Sequence, residues 1–291
     1  MRLFIFGFGD SAMVLARVAA ASGYAVAGSV RSADKARSLR VAGHDMTSFA
    51  TGAPLADPAA ALSGVTHVLS SIPPDADGDP ALIVHSDDLA RHAPQLRWIG
   101  YLSTTGVYGD HGGAWIDEAT PTAAASDRAQ RRVIAERQWQ NLGTRLGVAT
   151  QVFRLPGIYG PGRSALDQVR AGTARRIARA GQVFSRIHVA DIATTVLASM
   201  HRPRAGAVYN VADDEPAPQA DVVAFACDLL GVAPPPLVEY ADIEATLSPM
   251  ARSFYAETRR VRNHLIKRDL GVALAYPTYR EGLRAILAGG G

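Results

Sequence analysis

At residue 7 a short apolar run, Leu3 to Phe6, gives way to Gly7-Phe8-Gly9-Asp10-Ser11-Ala12, and a helix-forming pattern follows. A strand, a turn of the form G-x-G-x-x-A and a helix, in that order, have a well-understood physical use. The first glycine permits a tight turn, the second lets backbone come close to a pyrophosphate, and the small third residue lets the helix lie against the strand. The helix start then offers free N–H groups and the positive end of its dipole to phosphate oxygens. Alone the pattern is common. At the head of a βαβ unit it predicts a dinucleotide site.

The first half of the chain reads as such units. Apolar runs at Arg2–Phe6, Tyr24–Val30, His67–Ser71, Trp98–Ser103 and Thr150–Leu155 predict strands. Helical patterns lie between them at Ser11–Ser22, at Ala33–Ala42 with Ser32 as N-cap, and at Ser126–Leu146 with Gly147 just past the end. Strands alternating with helices imply a parallel sheet. After Pro156 the texture changes to loops rich in Gly, Pro and Arg, mixed with helices at Ala190–Met200 and Ala220–Leu230. The expectation is an α/β fold: a Rossmann-type, doubly wound parallel sheet in residues 1–160, and a smaller C-terminal substrate lobe in residues 161–291 that sends some segments back to the sheet. With 291 residues, 48% of them apolar, the chain has enough material for that core.

The end of the second strand separates two cofactors. NAD(H) sites place Asp or Glu there for the ribose 2′-hydroxyl, whereas arginine accommodates the 2′-phosphate of NADP(H). Here the strand ends Gly28-Ser29-Val30-Arg31-Ser32, with Lys35 one turn on and no carboxylate at the strand end. Arg31 can hold a phosphate in bidentate fashion and Ser32 can add a hydrogen bond, so NADP(H) is expected over NAD(H). Ser71, Ile72 and Pro73 follow the next strand, at the edge where open α/β sheets bind ligands, and are assigned to the adenosine side.

Composition removes other classes. A single cysteine, Cys227, excludes an internal disulfide framework and a cysteine-rich zinc site, fits a cytoplasmic protein, and reads as a small buried hydrophobe. Gly7, Gly9, Asp10 and Arg17 interrupt the apolar start, so neither an export signal nor a membrane partner is expected. The formal charge of +3 comes from dispersed, arginine-dominated residues without aromatic interleaving; solvated surface accounts for most of it, an anionic small molecule fits it as well as a nucleic acid would, and no nucleic-acid partner is expected. Asp110, His111, Asp117 and Glu118 lack metal-ligand spacing, and no metal is expected. Asp191 reads as an N-cap and His188 as a strand residue, both structural.

Further segments carry a resemblance. Ser103-Thr104-Thr105-Gly106-Val107-Tyr108-Gly109, Trp115 to Pro121 with its Asp117-Glu118, Arg154 to Gly162 with Ile158-Tyr159-Gly160-Pro161-Gly162, and Ile187-His188-Val189-Ala190-Asp191-Ile192-Ala193 follow in order. Tyr209-Asn210-Val211 and the closing Leu270-Gly271, Tyr276-Pro277 and Glu281-Gly282-Leu283 extend the match over nearly the whole chain. Together they resemble the extended or atypical short-chain dehydrogenase/reductase superfamily, the NAD(P)-dependent epimerase/dehydratase group. The resemblance implies that Thr104 occupies the catalytic Ser/Thr position. It also implies that Ser103, Pro156 and Ile158 face the cofactor.

The resemblance fails where the superfamily carries Y-x-x-x-K, a tyrosine acid/base and a lysine that holds the nicotinamide ribose. Glu136 matches a glutamate four residues after that lysine, which puts Arg132 at the lysine position and Arg128 at the tyrosine position; no tyrosine in the chain is followed four residues on by lysine. A guanidinium stays protonated near neutrality and cannot replace a phenol. Arg128 and Arg132 share a helix face that the resemblance turns toward the active site, together with Thr104, so an anionic substrate is expected. Tyr108, Tyr159 and Tyr255 are candidate proton donors by position, with water as a further source. The expected function is an NADP(H)-binding oxidoreductase or epimerase/dehydratase-like enzyme acting on a small anionic hydroxyl or carbonyl compound. The alternative is a catalytically lapsed NADP(H)-binding sensor or regulatory protein. By analogy with the superfamily, the long helix 126–146 is the expected seam of a homodimer.

Overall fold

The computed structural model describes residues 1–289. Its first half alternates strand and helix: β1 (Arg2–Phe6), α1 (Asp10–Ala21), β2 (Ala25–Val30), α2 (Ala33–Val41), β3 (Asp45–Ser48), α3 (Pro58–Leu62), β4 (His67–Ser70), α4 (Pro80–His92) and β5 (Trp98–Thr104). The chain continues through β6 (Trp115–Ile116), α5 (Asp127–Leu146), β7 (Ala149–Leu155), β8 (Gly157–Tyr159), α6 (Ala165–Arg170), β9 (Arg176–Ala178), β10 (Arg186–His188), α7 (Val189–His201) and β11 (Ala207–Asn210). It closes with α8 (Gln219–Leu230), β12 (Leu237–Glu239), α9 (Tyr240–Ile243), α10 (Pro249–Tyr255), β13 (Arg260–Val261), α11 (His264–Leu270) and α12 (Tyr279–Ala288).

Seven strands form one parallel sheet in the order β11-β7-β5-β4-β1-β2-β3. Both faces are covered, so the strands are apolar on both sides. Leu3 and Ile5 of β1 point into a core shared with α1, α7 and α11, whereas Phe4 and Phe6 point into a second core shared with α4 and α5. This is the doubly wound α/β arrangement read from the sequence. The strand order reverses between β1 and β4, and the chain leaves the two strands toward opposite faces, which opens a crevice above their C-terminal ends.

Residues beyond 160 divide between two places. β11 is the sheet edge beside β7, and α7 and α11 pack on the α1 face. Around Tyr159, helices α6, α8 and α12 build a separate cluster, and Ile177, Tyr240, Leu247 and Tyr255 build another.

The helix ends follow their sequence signals. Ser32 caps α2, Ser126 caps α5, and Gly147 ends α5 in the left-handed conformation. One cap differs from expectation. His188, not Asp191, is the N-cap of α7, its Nδ1 accepting the Ala190 N–H at 3.2 Å. Asp191 lies inside the first turn and spends its carboxylate on the Ala275 and Tyr276 amides, at 2.8 and 3.1 Å, fixing the segment before α12. α4 had no counterpart in the sequence reading, although Asp79-Pro80 is a helix-start signal and Asp79 does cap it.

Candidate functional site

Gly7 leaves β1 at φ +85°, a conformation that side chains resist, and a Cβ there would lie 2.9 Å from Ile72 Cγ1 and 3.0 Å from Ser71 Oγ. Ser71 donates its hydroxyl to Gly7 O at 2.5 Å, so the loops leaving β1 and β4 are tied together at the crevice. The Gly7 and Phe8 amides both donate to Ser29 O, at 3.2 and 2.8 Å. Gly9 caps α1 without a side-chain hydrogen bond, and nothing lies within 4 Å of where its Cβ would be. By position, the amides of Asp10, Ser11 and Ala12 then have no intrahelical acceptor and open toward that free space. Ala12 is buried where α1 meets the sheet.

Phe8 corrects the sequence reading in part. Its ring is buried in the α1-side core, 5.7 Å from the His44 ring and against Gly28, where a Cβ would come within 2.8 Å of it. Phe8 therefore offers the crevice only backbone.

Arg31, Ser32 and Lys35 are exposed at the end of β2 and the start of α2. Ser32 Oγ accepts the Lys35 amide at 3.3 Å, and Asp34 pairs with Arg37 at 3.1 Å. Among the described residues neither Arg31 nor Lys35 forms an ion pair, so two cations stand free beside the crevice. Ile72 is half-buried and Pro73 exposed along its opposite rim.

At the other end, Thr104 closes β5 half-buried, its Oγ1 accepting the Gly106 amide at 3.1 Å. That leaves the hydroxyl proton free to donate. Ser103 points the other way. It is buried and donates to Glu136 Oε1 at 2.5 Å, so its side chain is not available to a ligand. Pleating explains the difference, since neighbouring strand residues face opposite sides. Pro156 and Ile158 follow β7 half-buried.

The structure separates Arg128 from Arg132. Arg132 reaches the sheet and donates to Leu102 O at 2.7 Å and to the Tyr101 hydroxyl at 3.1 Å. Arg128 is exposed and has no hydrogen bond or ion pair among the described residues. Beneath Arg132 lies a buried polar network. Glu136 holds Arg154 in a two-pronged ion pair, at 3.1 Å to Nε and 2.7 Å to Nη2, with both side chains nearly inaccessible. Asp79 accepts from Ser70 at 2.6 Å and from Trp139 at 2.9 Å, and burial pushes its carboxyl up from the usual range.

The candidate tyrosines are already engaged or enclosed. Tyr108 donates to Asn210 Oδ1 at 2.8 Å, and Tyr159 donates to Thr278 O at 3.3 Å. Tyr255 packs against Phe184 and Tyr240. Burial raises all three phenols, which makes them weaker acids. One residue near Thr104 is readable from the sequence only as part of a group, Arg259, Arg260 and Arg262, that fits surface charge and substrate binding equally. Arg259, held by Gly109 O at 2.5 Å and Glu257 at 2.6 Å, brings Nη2 within 4.0 Å of a Cβ placed on Gly106. The same point lies 3.4 Å from Thr104 Oγ1. Its signal was only one arginine among several, in a segment far from Thr104 in sequence.

Among the described residues no group of three His, Cys, Asp or Glu side chains could hold a metal ion, and no helix is long and apolar enough to cross a membrane.

Comparison with known proteins bears on the whole arrangement. Residues 86–212 match the model of the NAD dependent epimerase/dehydratase family. A structure from Silicibacter pomeroyi DSS, described as a functionally unknown conserved protein, is 49% identical and superposes with a TM-score of 0.90 over 99% of this chain and 98% of that one. Protein YeeZ of Escherichia coli (strain K12) is 27% identical over 241 residues, 79% of this chain and 84% of that protein. The human epimerase family protein SDR39U1, solved with NADPH, is 16% identical and shares the fold at a TM-score of 0.75 over 99% of both chains. With its glycine turn and seven-stranded parallel sheet, the chain shares its fold with these structures, and over residues 86–212 it is similar to the NAD dependent epimerase/dehydratase family.

Proposed function

We propose that the chain binds NADP(H) in the crevice above β1, β2 and β4. The dinucleotide would lay its pyrophosphate on the Gly9–Ala12 amides and its 2′-phosphate on Arg31, with Lys35 and the Ser32 hydroxyl beside it. The observation that carries this reading is the uncapped start of α1 under a glycine held at positive φ. Ser71, Ile72 and Pro73 would flank the adenosine, and Pro156 and Ile158 the nicotinamide end. The human relative solved with NADPH supports the fold's capacity for that cofactor. When bound, the nicotinamide supplies or accepts a hydride.

The reaction we infer is an oxidation–reduction or epimerase/dehydratase-like step on a small anionic hydroxyl or carbonyl compound. Thr104 would donate its free hydroxyl proton to a substrate oxygen as a positioning hydrogen bond. Arg132, already anchored to Leu102 O, would direct its remaining N–H groups to the nicotinamide ribose, and exposed Arg128 would add positive charge at the rim. A second reading, a catalytically lapsed NADP(H) sensor, is favoured by the absent tyrosine–lysine pair and by the engaged hydroxyls of Tyr108 and Tyr159. We also assign the protein to the cytosol, on its single buried thiol, and to a homodimer through the long helix α5, which exposes Ile134.

Calorimetric titration with NADPH and NADH, on the wild type and on Arg31→Ala, tests the cofactor reading. Loss of a charge-assisted phosphate contact should weaken NADPH by about tenfold or more and leave NADH nearly unchanged. Equal affinity of the wild type for both, or binding of neither, would overturn it. Turnover of NADPH across hydroxy acids, aldehydes and sugar nucleotides then separates enzyme from sensor.

A further inference from the structure

Beside β8, away from the glycine turn, the C-terminal lobe holds a pocket of about 520 Å³. Ile158, Tyr159, Val222 and Tyr279 give it apolar walls, and Arg186 forms part of its lining. Arg186 is anchored by Nη1, which donates to Phe184 O at 2.8 Å and Ala217 O at 2.9 Å. Neither carbonyl depends on it, because Phe184 and Ala217 already exchange backbone hydrogen bonds at 3.1 Å each way. The anchoring therefore aims the guanidinium more than it satisfies the backbone.

What Arg186 lacks is an anion. It forms no ion pair among the described residues, although its charge is surrounded by protein and only part of the side chain keeps access to the pocket. The other charged lining groups do not supply one. Asp167 gives one carboxylate oxygen to the Ser164 amide and hydroxyl, at 2.7 and 2.6 Å, and Arg163 is a second cation without an ion pair. The Asp213 amide donates to Arg186 O at 2.7 Å, but its carboxylate forms no ion pair with Arg186 and its Oδ2 is buried without a partner. Burial raises the Asp213 carboxyl well above its usual range and lowers Arg186, while the charge of each opposes the shift of the other. Asp213 acts on Arg186 only from beyond contact, and a buried cation with no anion in contact is unfavourable, a cost that a bound anion would relieve.

We propose that this pocket is the substrate's anion subsite, in which Arg186 pairs with a carboxylate or phosphate oxyanion of an organic compound whose apolar or ring portion lies against Ile158, Tyr159, Val222 and Tyr279. Because β8 continues directly from Pro156, the subsite adjoins the nicotinamide end of the cofactor crevice. In that sense the inference rests on the function proposed above and names the substrate class of the same site.

Benzoate, phenyl phosphate and uncharged benzyl alcohol serve as probes, titrated against the NADPH-saturated full chain by ligand-observed NMR, with the same titrations on Arg186→Met, Arg186→Lys and Arg163→Ala. The expected result is that one or both anions bind and benzyl alcohol binds at least about tenfold more weakly. Arg186→Met should lose the anion preference, Arg186→Lys should keep part of it, and Arg163→Ala should change it little. The preferred anion tells carboxylate from phosphate. Removing an uncompensated buried charge should leave the melting temperature of Arg186→Met unchanged or higher, which guards against loss of fold. Equal binding of the alcohol, anion binding unaffected in Arg186→Met, or no anion binding at about 10 mM overturns the proposal. NADPH affinity of the same variants separates the two readings. If NADPH never binds while the anions do, the cofactor reading fails and the subsite stands; the converse leaves the cofactor reading intact.

Discussion

Asp10 is the first residue of α1 and is exposed, next to the amides assigned to the pyrophosphate. In the free protein its charge complements the positive end of the helix dipole; with a dinucleotide bound, the same charge faces phosphate. Asp10→Asn is therefore expected to tighten NADPH binding by about twofold to fivefold, read by calorimetry, with the gain shrinking at high salt. An unchanged or weaker affinity would mean that the pyrophosphate does not lie over this turn. The residues of the turn were legible in sequence because each has a local job: Gly7 for its φ, Gly9 for open space, Ala12 for its size. Phe8 and Ser103 were not. Which side of the backbone they face depends on partners distant in sequence, Gly28 in one case and Glu136 in the other.

At the level of elements, α5 was readable from both ends, since Ser126 and Gly147 are local signals with local causes. Its buried face was not. Glu136 could be placed only by resemblance, and nothing in the helix pattern indicates that it neutralises Arg154 on β7. With Glu136 and Arg154 at 4% and 7% exposure, the pair is enclosed, and breaking one side leaves the other uncompensated. Glu136→Gln should cost about 3–5 kcal/mol in urea denaturation, far more than an exposed pair such as Arg37 with Asp34 would. A loss under about 1 kcal/mol would show that solvent reaches the pair. The same network holds Ser103 beside Thr104, so the variant is also expected to loosen the end of β5.

Across the whole molecule, burial sets the response to acid. His188 and His67 are both enclosed and pushed down to about 4, chiefly by loss of solvation. Because their ordinary value is 6.5, the unfolded chain binds their protons first as pH falls. Their stabilising contribution is thus fully present above pH 6.5 and is lost as pH falls toward about 4. Asp213, raised by burial, works in the opposite sense, so the difference between variant and wild type is the clean observable. His188→Asn keeps an N-cap for α7 and removes the titration. Relative to wild type it should gain about 2–3 kcal/mol between pH 7 and pH 4, measured by denaturation at each pH. A difference independent of pH would mean that His188 titrates normally.

The sequence alone determined the things that short-range physics enforces: the alternation of strand and helix, the caps of α2 and α5, the glycine turn, and the lack of a carboxylate at the end of β2. These depend on backbone conformation and on neighbours within a turn or two, so they are written where they act. The tertiary structure decided what depends on residues far apart in the chain. It brought β11 to the sheet edge, turned Arg132 onto Leu102 while leaving Arg128 exposed, set Arg259 beside Gly106, and left Arg186 in a pocket wall without an ion pair. A charge carries no mark in the sequence of whether folding will give it a partner. Only the packed chain fixes the distances, and the removal of water, that make an unpaired guanidinium a place for a ligand.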